Sequence, residues 1–97
     1  MLQPFAPEAP LAYRIPWHVS VDDPAHPVVV NHGFEAADFV RVFRDDVGPE
    51  RTQLWGRVLP AESVELCLCT AGLDEIVVTV AWFRQLDGLE YIWRFVV

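Results

Sequence analysis

The sequence contains no lysine, one methionine, two cysteines and only five glycines among its 97 residues. In the absence of lysine, all seven basic side chains are arginines, and fourteen carboxylates bring the formal net charge to −7. A surface that binds phosphate groups needs clustered positive charge, which this balance does not supply. We therefore expect neither nucleic acid nor an anionic membrane as a partner.

Long apolar runs are also absent. No stretch approaches the roughly 18 apolar residues that span a bilayer, and the first residues lack the basic stretch and apolar segment of a signal peptide. Cys67 and Cys69 lie two apart in a predicted strand, where side chains point the same way about 6.5–7 Å apart, which is unfavourable for a disulfide. We therefore expect reduced cysteines and a cytoplasmic protein.

Apolar side chains are abundant: 53% of the residues are hydrophobic, including four Trp, two Tyr and six Phe. A chain of this length forms one domain and buries roughly 60–65% of its unfolded surface, which is enough for a single core. We place this domain at residues 17–97.

Residues 1–16 differ from the rest because they hold four of the eight prolines. We predict an extended, proline-rich arm over this stretch. Phe5, Leu11, Tyr13 and Ile15 make the arm too apolar for an inert tail. We therefore expect it to dock either on its own domain or on a partner.

The remainder of the chain consists of short β-branched and aromatic runs separated by turn residues. Strands at this spacing are typical of a β-sandwich. The seven predicted strands cover residues 17–21, 27–32, 38–44, 53–58, 63–70, 75–84 and 89–97. The prediction is an all-β fold, an antiparallel sandwich of about seven strands preceded by the arm.

Residues 34–47 have two interpretations. Val40 and Phe43 fall at helical spacing, and Gly48 and Pro49 form a helix stop, which favours a helix. However, the run from Val40 to Phe43, which is apolar apart from Arg41, would place apolar groups all round a helix, and β-branched residues lower helix propensity. We predict a strand at residues 38–44.

Two segments resemble a known family. The stretch VVVNHGFEAADFVRVF, residues 28–43, is similar to the core of bacterial immunoglobulin-like domains, in which a strand ends in Asn-x-Gly before a short turn and a second strand. The stretch LPAESVELCLC, residues 59–69, resembles the Pro-Gly-Glu-Ser turn and strand of the same domains, with Ala61 where glycine is usual. The resemblance covers residues 28–97 and implies an immunoglobulin-like sandwich that acts as a spacer, binder or assembly module without catalysis, as in the cell-adhesion-related bacterial domains.

Strand alternation predicts which side chains face the core. The predicted core residues are Val28, Val30, Val40, Val42, Leu66, Leu68, Val78, Val80, Trp82, Tyr91, Trp93 and Phe95. The last two predicted strands lack the polar face that a half-solvated strand should have. We therefore predict an exposed apolar interface formed by Val77, Thr79, Ala81, Phe83, Ile92, Arg94 and Val96. This face predicts a protein partner, with a homodimer as the first interpretation and cover by the arm or binding of another protein as alternatives.

Acidic residues gather in three loops that an up-and-down sandwich places at one end. They are Asp22, Asp23, Asp45, Asp46, Asp74 and Glu75, with Glu50 beside them. Calcium takes six to eight oxygen ligands, so these carboxylates make a candidate calcium or small-ligand site. A solvated acidic end is the alternative interpretation.

Catalytic motifs are missing from the sequence. There is no serine elbow and no glycine-rich phosphate loop. His18, His26 and His32 with Cys67 and Cys69 do not have the spacing of a structural zinc site, whose cysteines have two to four residues between them, whereas Cys67 and Cys69 have one. We therefore predict that the protein is not an enzyme and carries no cofactor.

Overall fold

The computed structural model of the protein describes residues 13–68 and 75–97. Over these residues it forms β1 (Trp17–Ser20), β2 (Val28–Asn31), β3 (Ala37–Arg44), β4 (Gln53–Val58), β5 (Ser63–Glu65), β6 (Val77–Arg84) and β7 (Glu90–Val96), with one 3-10 turn at Pro49–Arg51. Each strand overlaps one of the seven predicted runs. No helix in this part of the chain is long and apolar enough to cross a membrane.

The strands form two antiparallel sheets that pack as a sandwich. The smaller sheet has the order β1-β2-β5 and the larger sheet the order β4-β3-β6-β7. The predicted all-β sandwich is therefore confirmed. The helical alternative for residues 34–47 is wrong, because β3 pairs with β4 on one side and β6 on the other.

The core lies between the inner faces of the two sheets. Seven predicted core side chains are buried: Val40, Val42, Leu66, Leu68, Val78, Val80 and Trp82. Tyr91, Trp93 and Phe95 are partly buried and pack against this core. The larger sheet thus presents the predicted side chains to the interior.

Strand β2 faces the opposite way from the prediction. Val29 and Asn31 are fully buried, whereas Val28 and Val30 are only partly buried. Val29 lies opposite Val64 on β5, so the odd-numbered residues of β2 face the core. A run of three valines carries no alternation, and the polar Asn31 is the residue that faces inward.

Asn31 is buried because its polar groups are all engaged. Its Nδ2 donates to the carbonyl oxygens of Glu35, at 3.1 Å, and Val58, at 3.0 Å. Its Oδ1 accepts from the N–H of Gly33 at 2.8 Å. A side chain at position 33 would meet Pro16 and this Oδ1 at 3.0–3.1 Å, so the tight turn of the Asn-x-Gly motif favours glycine.

The backbone of Asn31 joins this turn to the one before β5. The Ala61 N–H donates to the Asn31 carbonyl at 2.7 Å, and the Asn31 N–H donates to Glu62 at 3.0 Å. Ala61 has a φ of 69°, so alanine occupies the left-handed conformation that glycine usually supplies. The two segments that carry the family resemblance are therefore in direct contact.

Two irregularities shape the larger sheet. The pairing of β3 with β6 shifts by one residue between Asp38 and Arg41, which is a β-bulge. Phe39 lies in this bulge with a φ of 49° and is turned outward. On β4, the pairing shifts again near Gly56, whose φ is 72°.

The described part of the arm, residues 13–16, packs on its own domain. The Tyr13 ring contacts the Tyr91 ring edge-on at 4.8 Å, and the Trp82 Nε1–H donates to its hydroxyl at 3.3 Å. Pro16 is buried, and its carbonyl accepts from the His32 N–H at 2.7 Å. These contacts hold residues 13–16 against the core.

The prediction of a reduced cysteine pair is wrong at Cys67, which is disulfide-bonded. That prediction assumed a flat strand over residues 63–70, but β5 ends at Glu65. Beyond that residue the backbone follows the β1–β2 connection, where the Leu68 N–H donates to Ala25 at 2.7 Å. Cys69 lies outside the described residues.

Candidate interaction face

The outward side of the larger sheet is the candidate site, and we call it the outer face. Because side chains alternate along a strand, the buried residues of β6 at 78, 80 and 82 fix which residues point outward. The outer face comprises Leu54 and Arg57 on β4, Asp38, Phe39, Arg41 and Phe43 on β3, Val77, Thr79, Ala81 and Phe83 on β6, and Glu90, Ile92, Arg94 and Val96 on β7.

Large apolar side chains remain exposed across the full width of this face. Leu54 is 64% exposed at one edge, Phe39 is 52% exposed in the middle, and Ile92 and Val96 are 56% and 55% exposed at the other edge. Single exposed apolar residues are normal on a protein surface, whereas a contiguous apolar patch marks an interface. Leu54, Arg41, Ala81 and Ile92 lie side by side across four strands, so the exposed groups belong to one surface.

The bulge on β3 organises the middle of the face. It brings the Phe39 ring to 6.1 Å from the Phe83 ring in a stacked arrangement. The Arg41 guanidinium lies 4.4 Å from the Phe39 ring centroid and 5.4 Å from that of Phe83, and donates to Glu90 at 2.6 Å. The arginine therefore crosses over β6 from β3 to β7, and its charge is neutralised on the face.

The outer face differs in charge from the rest of the molecule. Arg57 donates to Asp38 at 2.9 Å. Of the arginines on this face, Arg94 has no ion pair among the described residues. The face thus has three arginines and two carboxylates, while the whole chain has a formal charge of −7. It is a nearly neutral, slightly positive surface on an acidic protein.

The predicted interface residues all lie on this face. Ala81 differs from the others because it is only 3% exposed; Arg41 and Ile92 flank it on the neighbouring strands. Sequence reasoning missed the contribution of β3 and β4, including Phe39 and Leu54. Alternation along β3 places Phe39, Arg41 and Phe43 on one side, but only the strand order shows that β3 lies beside β6.

The acidic loop residues do not form a calcium site within the described residues, where no three His, Cys, Asp or Glu side chains converge. Asp45 accepts from the Val77 N–H at 2.9 Å. Asp46 is held by Arg44 at 2.6 Å, and this hydrogen bonding lowers the pKa of Asp46. Asp22 and Glu75 are exposed, and Asp74 lies outside the described residues. The calcium prediction therefore gains no support.

The histidines lie in two places: His18 and His32 lie together, whereas His26 lies in the β1–β2 connection opposite Cys67, where the Leu66 and Leu68 N–H groups donate to Pro27 and Ala25. The rings of His18 and His32 are stacked, with centroids 5.0 Å apart, on the smaller sheet and the turn that follows it. His26 Nδ1 lies 3.0 Å from a carboxylate oxygen of Asp23, and its hydrogen bond lowers the pKa of Asp23. Within the described residues, these side chains do not gather in a group of three or more.

A second cluster surrounds Arg84 at the end of the core. Its guanidinium makes two hydrogen bonds to Glu35, at 2.8 and 3.0 Å, and lies 3.8 Å from the Tyr13 ring centroid. These hydrogen bonds lower the pKa of Glu35, while burial raises the pKa of Tyr13. Asp87 accepts from the Tyr91 hydroxyl at 2.5 Å, which lowers the pKa of Asp87.

A cavity of about 230 Å³ opens beside this cluster, between residues 13–16 and the turn after β2. Its lining is mainly apolar, and Phe34 at its mouth is fully exposed. The Arg84 guanidinium is already neutralised by Glu35, so it offers no free charge to a ligand. The outer face is consequently the stronger candidate site.

Comparison with known proteins identifies no relative. No protein-family model matches the chain, and neither a curated protein nor a solved structure matches it.

Proposed function

We propose that the protein is a non-catalytic interaction and assembly module that binds a second copy of itself through the outer face. The observation that carries the proposal is the exposure of Leu54, Phe39, Ile92 and Val96 on three of the four strands of the larger sheet. Removing such groups from water is favourable by about 25 cal/mol per Å² of apolar surface. Their exposure in an isolated chain therefore favours association.

Charge supports a second copy as the occupant. Two acidic molecules repel each other over most of their surfaces. The outer face avoids this penalty because Arg41 and Arg57 are paired on it and Arg94 adds one positive charge. An isologous contact brings the same patch of both copies together, so a nearly neutral, apolar patch is self-complementary.

The immunoglobulin-like character is part of the same proposal. It is supported by the contact between the Asn-x-Gly turn at Asn31 and the turn at Ala61. In constant-type immunoglobulin domains the fourth strand joins the first, second and fifth; here β4 pairs with β3 instead. Other sandwiches share this architecture without always having the same topology.

The experiment is the absolute molar mass of the purified chain by light scattering over a range of concentrations. We expect a mass above the 11.0 kDa of one chain that rises with concentration. Phe83→Glu places a charge in the middle of the outer face and should halve the mass.

The matched control is Val30→Glu. Val30 is partly buried and points outward from the middle strand of the smaller sheet, so the same charge is added to the opposite side of the sandwich. The proposal predicts an unchanged mass for this variant. A wild-type chain that stays at 11.0 kDa, or a mass that Phe83→Glu leaves unchanged, would overturn the proposal.

A further inference from the structure

Strand β7 has a long free edge within the part of the chain that the structure describes. It ends the larger sheet, and its pairing with β6 is regular at all seven residues from Glu90 to Val96. The opposite edge strand, β4, is broken by a register shift and by the positive φ of Gly56. Irregular edges resist pairing with another chain, whereas a long regular edge is a template for it. Of these two edges, only that of β7 has the regular form.

The hydrogen bonds at both ends of the β6–β7 pair fix which backbone groups are free. The Arg84 N–H donates to Leu89 at 3.1 Å, and the Val97 N–H donates to Ile76 at 3.0 Å. Since hydrogen-bonded pairs alternate in an antiparallel ladder, the odd-numbered residues of β7 point their N–H and C=O groups towards β6. Those of Glu90, Ile92, Arg94 and Val96 therefore point away from the sheet.

We infer that β7 pairs antiparallel with β7 of a second copy, with Ile92 opposite Ile92 and Glu90 opposite Arg94 of the partner subunit. In this register the outward backbone groups face one another and each such pair forms two hydrogen bonds. The two larger sheets become one continuous sheet, and their outer faces lie side by side. This contact goes beyond the proposed function because it uses the edge of the sheet and not its face.

Side-chain charge selects this register. Glu90 and Arg94 are on the same face of β7. When the two β7 strands are centred on Ile92, each Glu90 lies opposite the Arg94 of the other copy and the two Ile92 side chains lie opposite each other. This register forms two opposite-charge contacts and one apolar contact. A shift centred on Arg94 places two arginines against each other, and a shift centred on Trp93 places Ile92 against Arg94. Opposite charges across strands stabilise a pair and like charges destabilise it.

The side chains are available for these contacts. Arg94 is exposed and has no ion pair among residues 13–68 and 75–97. Glu90 receives Arg41 on its Oε2 atom, which leaves Oε1 to accept from the partner. On the inner face the same register sets Tyr91 opposite Trp93, and aromatic cross-strand pairs add to stability.

The test uses two variants that repel in opposite senses, both made in the Phe83→Glu chain so that the face contact is removed. Arg94→Glu sets a carboxylate against a carboxylate at both charged contacts of the pair. Glu90→Arg sets a guanidinium group against a guanidinium group at the same two contacts. We expect the Phe83→Glu chain to form a dimer and each added variant alone to form a monomer of 11.0 kDa. An equimolar mixture of the two should restore the dimer, because the mixed pair again has opposite charges at both contacts.

Rescue by mixing separates the register from misfolding, since a folding defect in either variant is not repaired by the other. A second variant, Arg94→Pro, removes an edge-facing N–H while leaving the ladder to β6 intact, and should also give a monomer.

A Phe83→Glu chain that is monomeric at all concentrations overturns the edge contact while leaving the proposed function standing. If Arg94→Glu halves the wild-type mass and Phe83→Glu does not, the proposed function fails and the edge contact stands. A mixture that stays monomeric overturns the inferred register.

Discussion

The two outward surfaces of the sandwich differ in composition although both cover the same core. The smaller sheet turns His18, Ser20, Val28, Val30, Ser63 and Glu65 outward, so four of six positions are polar. The larger sheet exposes Leu54, Phe39, Ile92 and Val96. These are four of the ten large apolar side chains exposed in residues 13–68 and 75–97, and none of the ten lies on a strand of the smaller sheet. This asymmetry is what an interaction surface requires and a solvated surface does not.

The largest expected effect is the difference in stability between substitutions on the inner face and on the outer face of the larger sheet. Trp82 and Phe83 are adjacent on β6, but Trp82 is fully buried and Phe83 points outward. We expect Trp82→Ala to lower the free energy of unfolding by about 3–5 kcal/mol. Phe83→Ala should cost about 1 kcal/mol in the dissociated chain, since most of its value lies in association. Urea unfolding at low protein concentration measures both; equal losses would contradict the division between the faces.

The next effect concerns the smaller sheet. Asn31→Ala leaves the Gly33 N–H and the Val58 carbonyl without their partner. Because an unsatisfied buried group costs about 1–3 kcal/mol, we expect a loss of about 2–3 kcal/mol in urea unfolding. Ser63→Ala is the control, because Ser63 is an exposed polar residue of the same sheet and should change the free energy by less than about 0.5 kcal/mol. A loss as small as that of the control would contradict the role of Asn31.

A smaller effect depends on pH. Hydrogen bonds from Arg84 lower the pKa of Glu35 below 4.5 in the folded state, so the pair stabilises the fold above pH 4.5 and this contribution is lost as the pH falls through the lowered pKa. Glu35→Gln should therefore reduce the melting temperature at pH 7 and converge on the wild type once the pH has fallen below the lowered pKa of Glu35. Glu65→Gln, which removes an exposed carboxylate of β5, is the control. A constant difference between Glu35→Gln and wild type at every pH would argue against the ion pair.

The smallest expected effect is an increase, not a decrease, in the free energy of unfolding. Ala61 has a φ of 69°, a conformation that costs alanine more than glycine. Ala61→Gly should therefore raise the free energy of unfolding by about 0.5–1 kcal/mol. Ala81→Gly in the regular part of β6 should lower it, because glycine weakens a strand interior. Thermal unfolding of both variants decides the point, and a destabilised Ala61→Gly would show that the turn is not strained.

The strands and most of the larger sheet were predictable from sequence because alternation and turn residues are local signals. The orientation of β2 was not, since Val28, Val29 and Val30 are chemically alike and Asn31 is buried only because its partners lie in other loops. The outer face was predicted on β6 and β7 but not on β3 and β4. Its full extent depends on strand order and on the bulge at Phe39, and neither can be read from periodicity.

The hydrogen bonds of Asn31 also bear on how the chain folds. Its Nδ2 reaches the carbonyl of Val58, 27 residues away, and its backbone joins Ala61 and Glu62. A loop of this length must close before any of these bonds forms, and the lost entropy is not repaid until then. Sandwiches built from such distant pairings fold in roughly milliseconds to seconds rather than microseconds. We therefore expect the hydrogen bonds of Asn31 to form late in folding. By then the hairpin of β6 and β7 has formed and the edge of β7 is exposed.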